Sequence, residues 1–333
     1  MIHSKEKEAY FSQPREDIAG TAENPNGHIY RLCEDDMLVR HTEITSFKGG
    51  DPVEILQITD PHLNRMNKRD WAERNPAIIS TRQFRMAFRN ESTVGNLKKA
   101  MRLSPFFDQT VITGDSMDYL TWGSLDLMDE CIWNDYPDTL VAVGGHDRAR
   151  KMQGKVADTA SPESISEILQ SRWKHDIFYT SKVLADKVLL VVTVNNNKRY
   201  TKEVVDKLRA DIERARENNW CILIFQHEPI ASKNPNEKEL LPIRENSPGN
   251  RDFCDFYLGS EGTDEITMEG YRLITENADI IKGLFCGHRH SEHYSEVMAS
   301  YEKDGKRIPT VLPQYIAGSC MYDEGHIMII TVK

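Results

Sequence analysis

From Val53 onward, short apolar runs alternate with longer amphipathic segments. Each run has five to eight residues rich in Val, Ile, Leu or Phe, which is typical of buried strands and too short for buried helices. The runs read VEILQIT, QTVIT, TLVAV, KVLLVVTV, CILIF and IIKGLFC. Between them, TVGNLKKAMRL and TKEVVDKLRADIERAREN have helical periodicity, and Thr201 is the expected N-cap of the second. This alternation predicts an α/β fold built in layers.

Composition limits the classes of partner. With 333 residues, 39% of them hydrophobic, the chain can bury a large core. A net charge of -10 without a long basic run argues against duplex nucleic acid bound on a cationic face. The six cysteines are widely spaced, and the sequence contains neither a signal-peptide pattern nor a run of 18 apolar residues. We therefore expect a cytoplasmic protein with reduced thiols and no membrane partner, and the composition leaves the oligomeric state open.

The chain divides by composition into an arm and a main domain. Residues 1–50 begin with a polar stretch and contain NGHIYRLC and DDMLVRHTEI, which predict a hairpin packed on the core. Residues 51–333 form the main domain. Within it, residues 231–265 are dense in Pro, Gly, Asn and charge, which predicts an inserted loop that shapes the substrate site.

Titratable side chains follow five of the apolar runs. The segments concerned are QITDPH, VITGDSMD, VAVGGHD, IFQHEP and LFCGHRH. Ligands of open α/β sheets gather where the carboxyl ends of the strands meet, so we expect these five ends to converge. Carboxylate oxygen and imidazole nitrogen suit Mn, Fe or Zn. Two carboxylates and four or more imidazoles exceed what one tetrahedral ion needs, whereas two ions that share a carboxylate would use them economically.

In order and spacing, DPH, GDSMD, GGHD, QH and GHRH resemble the motifs of the calcineurin-like metallophosphoesterase superfamily. The superfamily pattern is D-x-H, G-D-x-x-D, G-N-H-D/E, H and G-H-x-H, and the resemblance runs from about Val53 to the end of the sequence. It implies an α/β fold of the metallophosphoesterase type, a four-layer α/β/β/α sandwich of two mixed β-sheets flanked by helices. It also implies a dinuclear metal centre at one edge.

The same resemblance assigns roles to individual residues. One metal would be held by Asp60, His62, Asp115 and His290, and the other by Asp115, His227 and His288, so that Asp115 bridges them. A metal-bridging hydroxide would attack phosphorus while His146 assists the leaving group. Asp147 would orient an imidazole from behind, as would Asp118.

One position departs from the superfamily pattern. The third motif normally carries an asparagine whose amide oxygen binds the second metal, and this chain has Gly145 there. Three outcomes are open: water fills the gap and leaves a weaker second site, an amide from the run at residues 195–197 replaces the ligand, or the second ion binds poorly.

These features predict a hydrolase that acts on ester bonds, namely a metal-dependent phosphoesterase. Its substrate would be a small phosphorylated molecule, such as a nucleotide-like one. We favour phosphodiesters over phosphomonoesters, because the arginine-rich signature expected around a phosphoprotein-phosphatase site is missing from the sequence. The alternative is a metal-binding or scaffold member of the same fold, catalytically weakened at Gly145.

Overall fold

Two β-sheets stack face to face. The computed structural model describes residues 2–18, 27–73, 82–149, 162–193, 199–230, 264–321 and 324–333. Thirteen strands occur in these ranges: β1 (Arg15–Asp17), β2 (Gly27–Leu32), β3 (Met37–Ile44), β4 (Val53–Ile58), β5 (Gln109–Thr113), β6 (Leu140–Ala142), β7 (Tyr179–Leu184), β8 (Val188–Thr193), β9 (Cys221–Phe225), β10 (Ile281–Cys286), β11 (His293–Lys303), β12 (Lys306–Ile316) and β13 (Gly325–Val332). The first sheet has the order β1-β2-β3-β13-β4-β5-β6, and the second β11-β12-β10-β9-β8-β7.

Helices cover the outer faces of both sheets. The α-helices of the described ranges are α1 (Ile2–Phe11), α2 (Lys68–Glu73), α3 (Arg82–Met101), α4 (Trp122–Met128), α5 (Pro162–Gln170), α6 (Lys202–Asn218) and α7 (Glu265–Thr275). Buried residues of α3, α4 and α5 pack on the first sheet, and those of α6 and α7 pack on the second. The result is the predicted four-layer α/β/β/α sandwich.

A third core lies between the two sheets and fixes their spacing. Its aromatic part is a stack of Phe225, Phe285 and Tyr315, which come from the neighbouring strands β9, β10 and β12. The ring centroids are 5.0 Å apart in the first pair and 5.2 Å apart in the second. Large rings in contact on adjacent strands contribute both buried area and a preferred geometry, so they stabilise the pairing of these three strands within the second sheet.

Parallel strands of both sheets end at the same edge of the sandwich. In the first sheet β4, β5 and β6 are parallel neighbours. In the second sheet β8, β9, β10 and β12 are parallel neighbours. Because parallel strands present their carboxyl ends together, the loops after β4, β5, β6, β9, β10 and β12 all lie at one edge.

The strand and helix predictions from the sequence are confirmed. All six apolar runs form strands, within one or two residues of the predicted ends. Helix α6 begins as predicted, because Thr201 accepts the Val204 N–H, and it ends where Asn219 adopts a left-handed conformation. Of the predicted loop at 231–265, residues 231–263 lie outside the described ranges, while Asp264 caps α7 and Glu265 begins it.

The N-terminal hairpin is part of the first sheet. Strands β2 and β3 pair as an antiparallel hairpin, and β3 then pairs with β13 along its whole length of eight residues. Strand β13 in turn pairs with β4, whose end carries Asp60. Residues 27–44 therefore lie within the same hydrogen-bonded layer as the strands that carry the site. The division of the chain at residue 50 stays a prediction.

His175 ties the short strand β6 to the rest of the molecule. Its Nε2 accepts the Val141 N–H at 2.9 Å, and its Nδ1 lies 3.0 Å from the Asp176 carbonyl oxygen, to which it donates. Acceptance at Nε2 requires the neutral ring, and burial lowers the pKa of His175 from its usual 6.5. β6 leads directly into residues 144–147, so His175 supports one wall of the site from behind.

We expect His175 to make folding stability depend on pH. Because its pKa is lower in the folded than in the unfolded protein, the unfolded chain takes up the proton first, and stability is lost as the pH falls below about 6.5. The slope from this group is at most about 1.4 kcal/mol per pH unit. Urea unfolding of the wild type and of His175→Gln between pH 5 and 8 measures it. An equal pH dependence in both proteins would contradict the prediction.

Candidate metal centre

The six residues predicted as metal ligands lie together at the shared edge of the two sheets. Their donor atoms form two groups, in each of which all the atoms lie within 4.8 Å of one another. The first group, here called the four-ligand cluster, consists of Asp60, His62, Asp115 and His290. The second, the three-ligand cluster, consists of Asp115, His227 and His288. Asp115 belongs to both clusters, so one carboxylate lies between the two groups of imidazoles.

The donor atoms of the four-ligand cluster face one another. His62 Nε2 lies 2.9 Å from His290 Nε2, and His290 Nε2 lies 3.2 Å from Asp60 Oδ1. His62 Nε2 also lies 3.7 Å from both Asp60 Oδ1 and Asp115 Oδ2. Two facing imidazole nitrogens can share one proton or one cation, and the neighbouring carboxylate oxygens favour positive charge at this point.

The three-ligand cluster has the same arrangement. His227 Nε2 lies 3.1 Å from Asp115 Oδ2 and 3.2 Å from His288 Nδ1. Metal bonds of about 2.0–2.2 Å to nitrogen and oxygen place neighbouring ligand atoms about 3.0–3.5 Å apart. The shortest separations in both clusters match that spacing, and the nitrogen and oxygen donors suit a borderline or hard cation. The residues present therefore fit two metal ions that share Asp115.

Charge compensation inside the site leads to the same conclusion. Burial alone would raise the pKa of Asp60, but the imidazoles of His290 and His227 hold it well below its usual value. Burial would lower the pKa of His62, yet Asp118 and Asp60 raise it to about 10. Burial opposes protonation of His227 as well, and Asp115 and Asp60 nevertheless raise its pKa. Protons on His62 and His227 thus supply positive charge that bound cations would replace.

The backbone is strained at the ligand residues. Five of the six have positive φ angles between 46° and 71°, namely Asp60, His62, Asp115, His288 and His290. Residues other than glycine adopt this left-handed conformation at a cost of about 1–2 kcal/mol each. Such strain persists only where surrounding contacts impose it. Five such residues at one edge indicate that surrounding contacts hold these loops in the conformation that the site requires.

Hydrogen bonds behind the ligands fix their orientation. Asp60 Oδ2 accepts from Thr59 Oγ1 at 2.7 Å and from the His288 N–H at 2.9 Å, which leaves Oδ1 for the cluster. His227 Nδ1 lies 2.9 Å from the Thr113 carbonyl oxygen and donates to it, so that its Nε2 is the nitrogen that faces Asp115. Partners of this kind set the tautomer and orientation of metal-binding imidazoles.

His146, the predicted catalytic histidine, lies beside the four-ligand cluster. Its ring centroid is 4.8 Å from that of His62, and its side chain is 32% exposed, so a substrate can reach it. Its Nδ1 lies 3.0 Å from the Asp118 carbonyl oxygen and 3.4 Å from Asp118 Oδ1. This contact directs the opposite nitrogen, Nε2, away from Asp118.

Asp147, the other predicted catalytic residue, is fully buried behind the site. Its carboxylate accepts the N–H groups of Gly144 and Met117, each at 2.8 Å. Burial and the nearby charge of Asp115 raise the pKa of Asp147 to about 7. These contacts hold the loop after β6 against the loop after β5. Asp118, and not Asp147, has its carboxylate next to the His146 ring. A role of Asp147 in orienting an imidazole stays a prediction.

Gly144 and Gly145, which precede His146, differ in how much space their surroundings leave for a side chain. A Cβ atom on Gly144 would lie 2.3 Å from Asp115 Oδ1, so only glycine fits there. Gly145 has φ -64° and ψ -40°, and a Cβ atom built on it meets nothing within 4 Å. The absence of a side chain at position 145 is therefore not imposed by packing. The proposed replacement by residues 195–197 falls outside the described ranges.

We expect Gly145→Asn to tighten metal binding at the three-ligand cluster. The backbone and the open space accept an asparagine, whose amide oxygen is the ligand type that the resemblance implies. The gain should be about 10- to 100-fold in affinity, the range by which partners of metal ligands alter binding. Calorimetric titration with Mn²⁺ measures it, with Gly145→Ala as the control that adds bulk without a donor. Equal affinities of the two variants would contradict the prediction.

Sequence reasoning missed one residue that supports the ligands. Ser319, in the loop after β12, donates its hydroxyl hydrogen to the Asp60 carbonyl oxygen at 2.7 Å, and the Cys320 N–H donates to the Thr59 carbonyl oxygen at 2.9 Å. β12 is a sixth strand that ends at the site. Its sequence, KRIPTVLPQYI, contains two prolines and charged residues, so its strand character is weak, although the Gly-Ser pair that follows would have marked a strand end.

Arg148 and His326 make contacts outside the two clusters. Arg148 lies against Phe178, with Nη2 3.5 Å from Ser166 Oγ, and thus packs towards α5. His326 Nδ1 lies 3.7 Å from Glu292 Oε1, and not among the ligand atoms.

Within the described ranges, no helix is both long and apolar enough to cross a lipid bilayer.

The layered architecture and the convergence of the five motifs confirm, at the level of the fold, the resemblance that the sequence indicates. The fold is of the metallophosphoesterase type. No protein-family model matches the chain, and no curated protein matches it with significance.

Solved structures with a similar fold include a dimetal phosphatase from Danio rerio, which is 11% identical with a TM-score of 0.46 over 81% of this chain and 89% of that one. A purple acid phosphatase from yellow lupin is 11% identical, with a TM-score of 0.44 over 91% of this chain and 48% of that one. A putative 5'-nucleotidase from Staphylococcus aureus is 11% identical, with a TM-score of 0.38 over 81% of this chain and 49% of that one. Likeness at this level does not decide activity, which has to be inferred from the site.

Proposed function

We propose that the protein is a metal-dependent phosphoesterase. The observation that carries this proposal is the pair of clusters that share Asp115, built from loops at the meeting edge of both sheets. Two cations held there would stabilise the negative charge on phosphoryl oxygens and lower the pKa of coordinated water. The ligands are Asp60, His62, Asp115 and His290 for one ion, and Asp115, His227 and His288 for the other.

His146 is the group proposed to donate a proton to the leaving oxygen. It is accessible, it lies next to His62, and the Asp118 carbonyl oxygen fixes its Nδ1. With Nδ1 committed, Nε2 is the atom available to a substrate. A histidine whose ring is oriented in this way can serve as a general acid near neutral pH.

We propose a small phosphorylated substrate, with phosphodiesters and nucleotide-like molecules favoured over larger partners. The chain carries a net charge of -10, so the attraction for an anionic substrate has to come from the cations in the site. The same charge disfavours binding of duplex nucleic acid along the surface. The segment at 231–265 follows His227 directly in the sequence and is proposed to shape the substrate pocket.

The second candidate function is a non-catalytic metal-binding scaffold, and Gly145 is the observation that favours it. The three-ligand cluster has one protein ligand fewer than the four-ligand cluster, and position 145 adds no donor. However, six ligand residues converge and His146 remains accessible, which favours the enzyme.

A hydrolysis assay separates the two candidates. The protein is loaded with Mn²⁺, Fe²⁺ or Zn²⁺ and incubated with bis-p-nitrophenyl phosphate and with p-nitrophenyl phosphate, and bound metal is measured in the same samples. Turnover that rises with bound metal supports the enzyme, and preference for the diester supports the finer proposal. His28→Ala, on the exposed surface of β2, is the control and should retain full activity. Bound metal without turnover of any ester would favour the scaffold.

A further inference from the structure

A buried ion pair joins the two sheets close to the metal centre. Arg40, on the inner face of β3, is only 3% exposed, and its Nη1 lies 2.9 Å from Glu292 Oε2. Glu292 lies two residues after the ligand His290 and directly before β11. The pair therefore connects the N-terminal hairpin in the first sheet to the ligand loop of the second.

Arg40 also holds the end of the β11–β12 hairpin that faces the site. The same Nη1 donates to the carbonyl oxygens of His293 at 3.0 Å and Ile316 at 3.4 Å. These two residues form the first pair of the β11–β12 ladder. The guanidinium lies 5.5 Å from the centre of the Tyr315 ring, which belongs to the core between the sheets. The Arg40 guanidinium thus holds the ends of β11 and β12 that lie next to the loops of the site.

Glu292 extends this connection to the loop behind Asp60. Its Oε1 accepts the Gly318 N–H at 2.8 Å. The next residue, Ser319, donates to the Asp60 carbonyl oxygen. A continuous set of contacts therefore runs from Arg40 through Glu292 and Gly318 to the backbone of Asp60, while the chain itself connects Glu292 to His290.

A buried ion pair is a poor source of stability, because desolvation of both charges offsets their attraction. It does fix geometry, since each charge left without its partner would be costly to bury. The backbones of Asp60 and His290 both have positive φ angles of 49° and 60°, so they need external contacts to stay in place. Arg40 and Glu292 supply such contacts through the His293 carbonyl oxygen and the Gly318 N–H.

We propose that Arg40 and Glu292 are positioning residues for the four-ligand cluster, and that they act on its metal affinity through Asp60 and His290. This inference rests on the proposed function of the site. Neither side chain is among the proposed ligands, and the hydrogen bonds of the pair run to the backbones of His293, Ile316 and Gly318, of which Gly318 leads to Asp60. We therefore expect substitutions of Arg40 or Glu292 to weaken metal binding more at the four-ligand cluster than at the three-ligand cluster.

Mn²⁺ titration of each cluster alone tests the proposal, with every protein kept well below its melting temperature. A His288→Ala background leaves the four-ligand cluster complete, and a His290→Ala background leaves the three-ligand cluster complete. We expect Glu292→Gln to weaken Mn²⁺ binding at the four-ligand cluster by about 10- to 100-fold, and to change the other by less than about threefold. Lys187→Met is the control, because Lys187 is an equally buried cation at the opposite edge of the sandwich.

The double variant Arg40→Met/Glu292→Met separates positioning from stability. We expect it to melt at a higher temperature than Arg40→Met, because no charge is left unpaired, while its four-ligand cluster still binds Mn²⁺ more weakly than the wild type. Unchanged affinity in Glu292→Gln, or equal weakening at both clusters and in Lys187→Met, would overturn the positioning role. A wild-type protein that binds no Mn²⁺ would overturn the proposed function as well, so the two failures are distinguishable.

Discussion

Asp115→Asn is expected to remove high-affinity binding of both metal ions and to lower phosphoester hydrolysis by about 10³-fold or more, since the metals contribute several kcal/mol and each 1.36 kcal/mol is tenfold in rate. Asp115 is the one residue common to both clusters. Its Oδ2 lies 3.1 Å from His227 Nε2 and 3.7 Å from His62 Nε2, so its charge acts on both. The isosteric amide keeps the shape and loses that charge. Bound metal per chain and turnover are measured together.

The matched control for this substitution is Asp211→Asn. Asp211 is also buried, at 7% exposure, but it accepts a hydrogen bond from the Tyr179 hydroxyl in the outer helical layer. We expect Asp211→Asn to alter stability while leaving two ions bound. If Asp115→Asn binds as much metal as Asp211→Asn, the bridging role of Asp115 is wrong.

His146→Gln is expected to lower kcat by about 10²- to 10⁴-fold, the usual contribution of a general acid, with metal content unchanged. The reason is that His146 belongs to neither ligand cluster, although its ring contacts His62 and its donor atom lies near those of His62 and Asp118. The loss should depend on the ester. A p-nitrophenolate leaving group needs little protonation, so its hydrolysis should suffer much less than that of an alkyl ester.

The comparison of leaving groups makes the role of His146 specific. Equal losses with p-nitrophenyl and alkyl esters would contradict a proton-donating role and would indicate substrate binding instead. A fall in bound metal would show that His146 supports the ligands, which also contradicts the prediction. His28→Gln is the control for the loss of a histidine side chain, because His28 lies on the exposed surface of β2.

The sequence predicted the layers and the residues that converge at the shared edge because their signals are local. Runs such as CILIF are buried on both faces of a sheet, so they are apolar throughout and easy to recognise. The ligands follow such strands within a few residues, and parallel strands bring their ends to one edge. The convergence of Asp60, Asp115 and His288 follows from that rule together with the two-sheet topology.

Other features depend on tertiary contacts that leave little trace in the sequence. Strand β11 is only partly buried and carries charged residues, so its hydrophobic pattern is weak, and the Arg40–Glu292 pair joins residues 252 positions apart. The left-handed backbone at Asp60 and His290 is not marked by glycine in the sequence. The sequence does not distinguish the two glycines of the third motif either. In the structure, contact with Asp115 leaves no room for a side chain at Gly144, whereas Gly145 has room for one.

The proposed phosphoesterase activity depends on two metal ions held through Asp115. Its most direct test is the rate of ester hydrolysis by metal-free protein titrated with Mn²⁺, with bound metal counted at each step. We predict that turnover rises with bound metal and reaches its maximum at two ions per chain. No hydrolysis of either p-nitrophenyl ester at any metal loading, with fewer than one ion bound per chain, would contradict the claim.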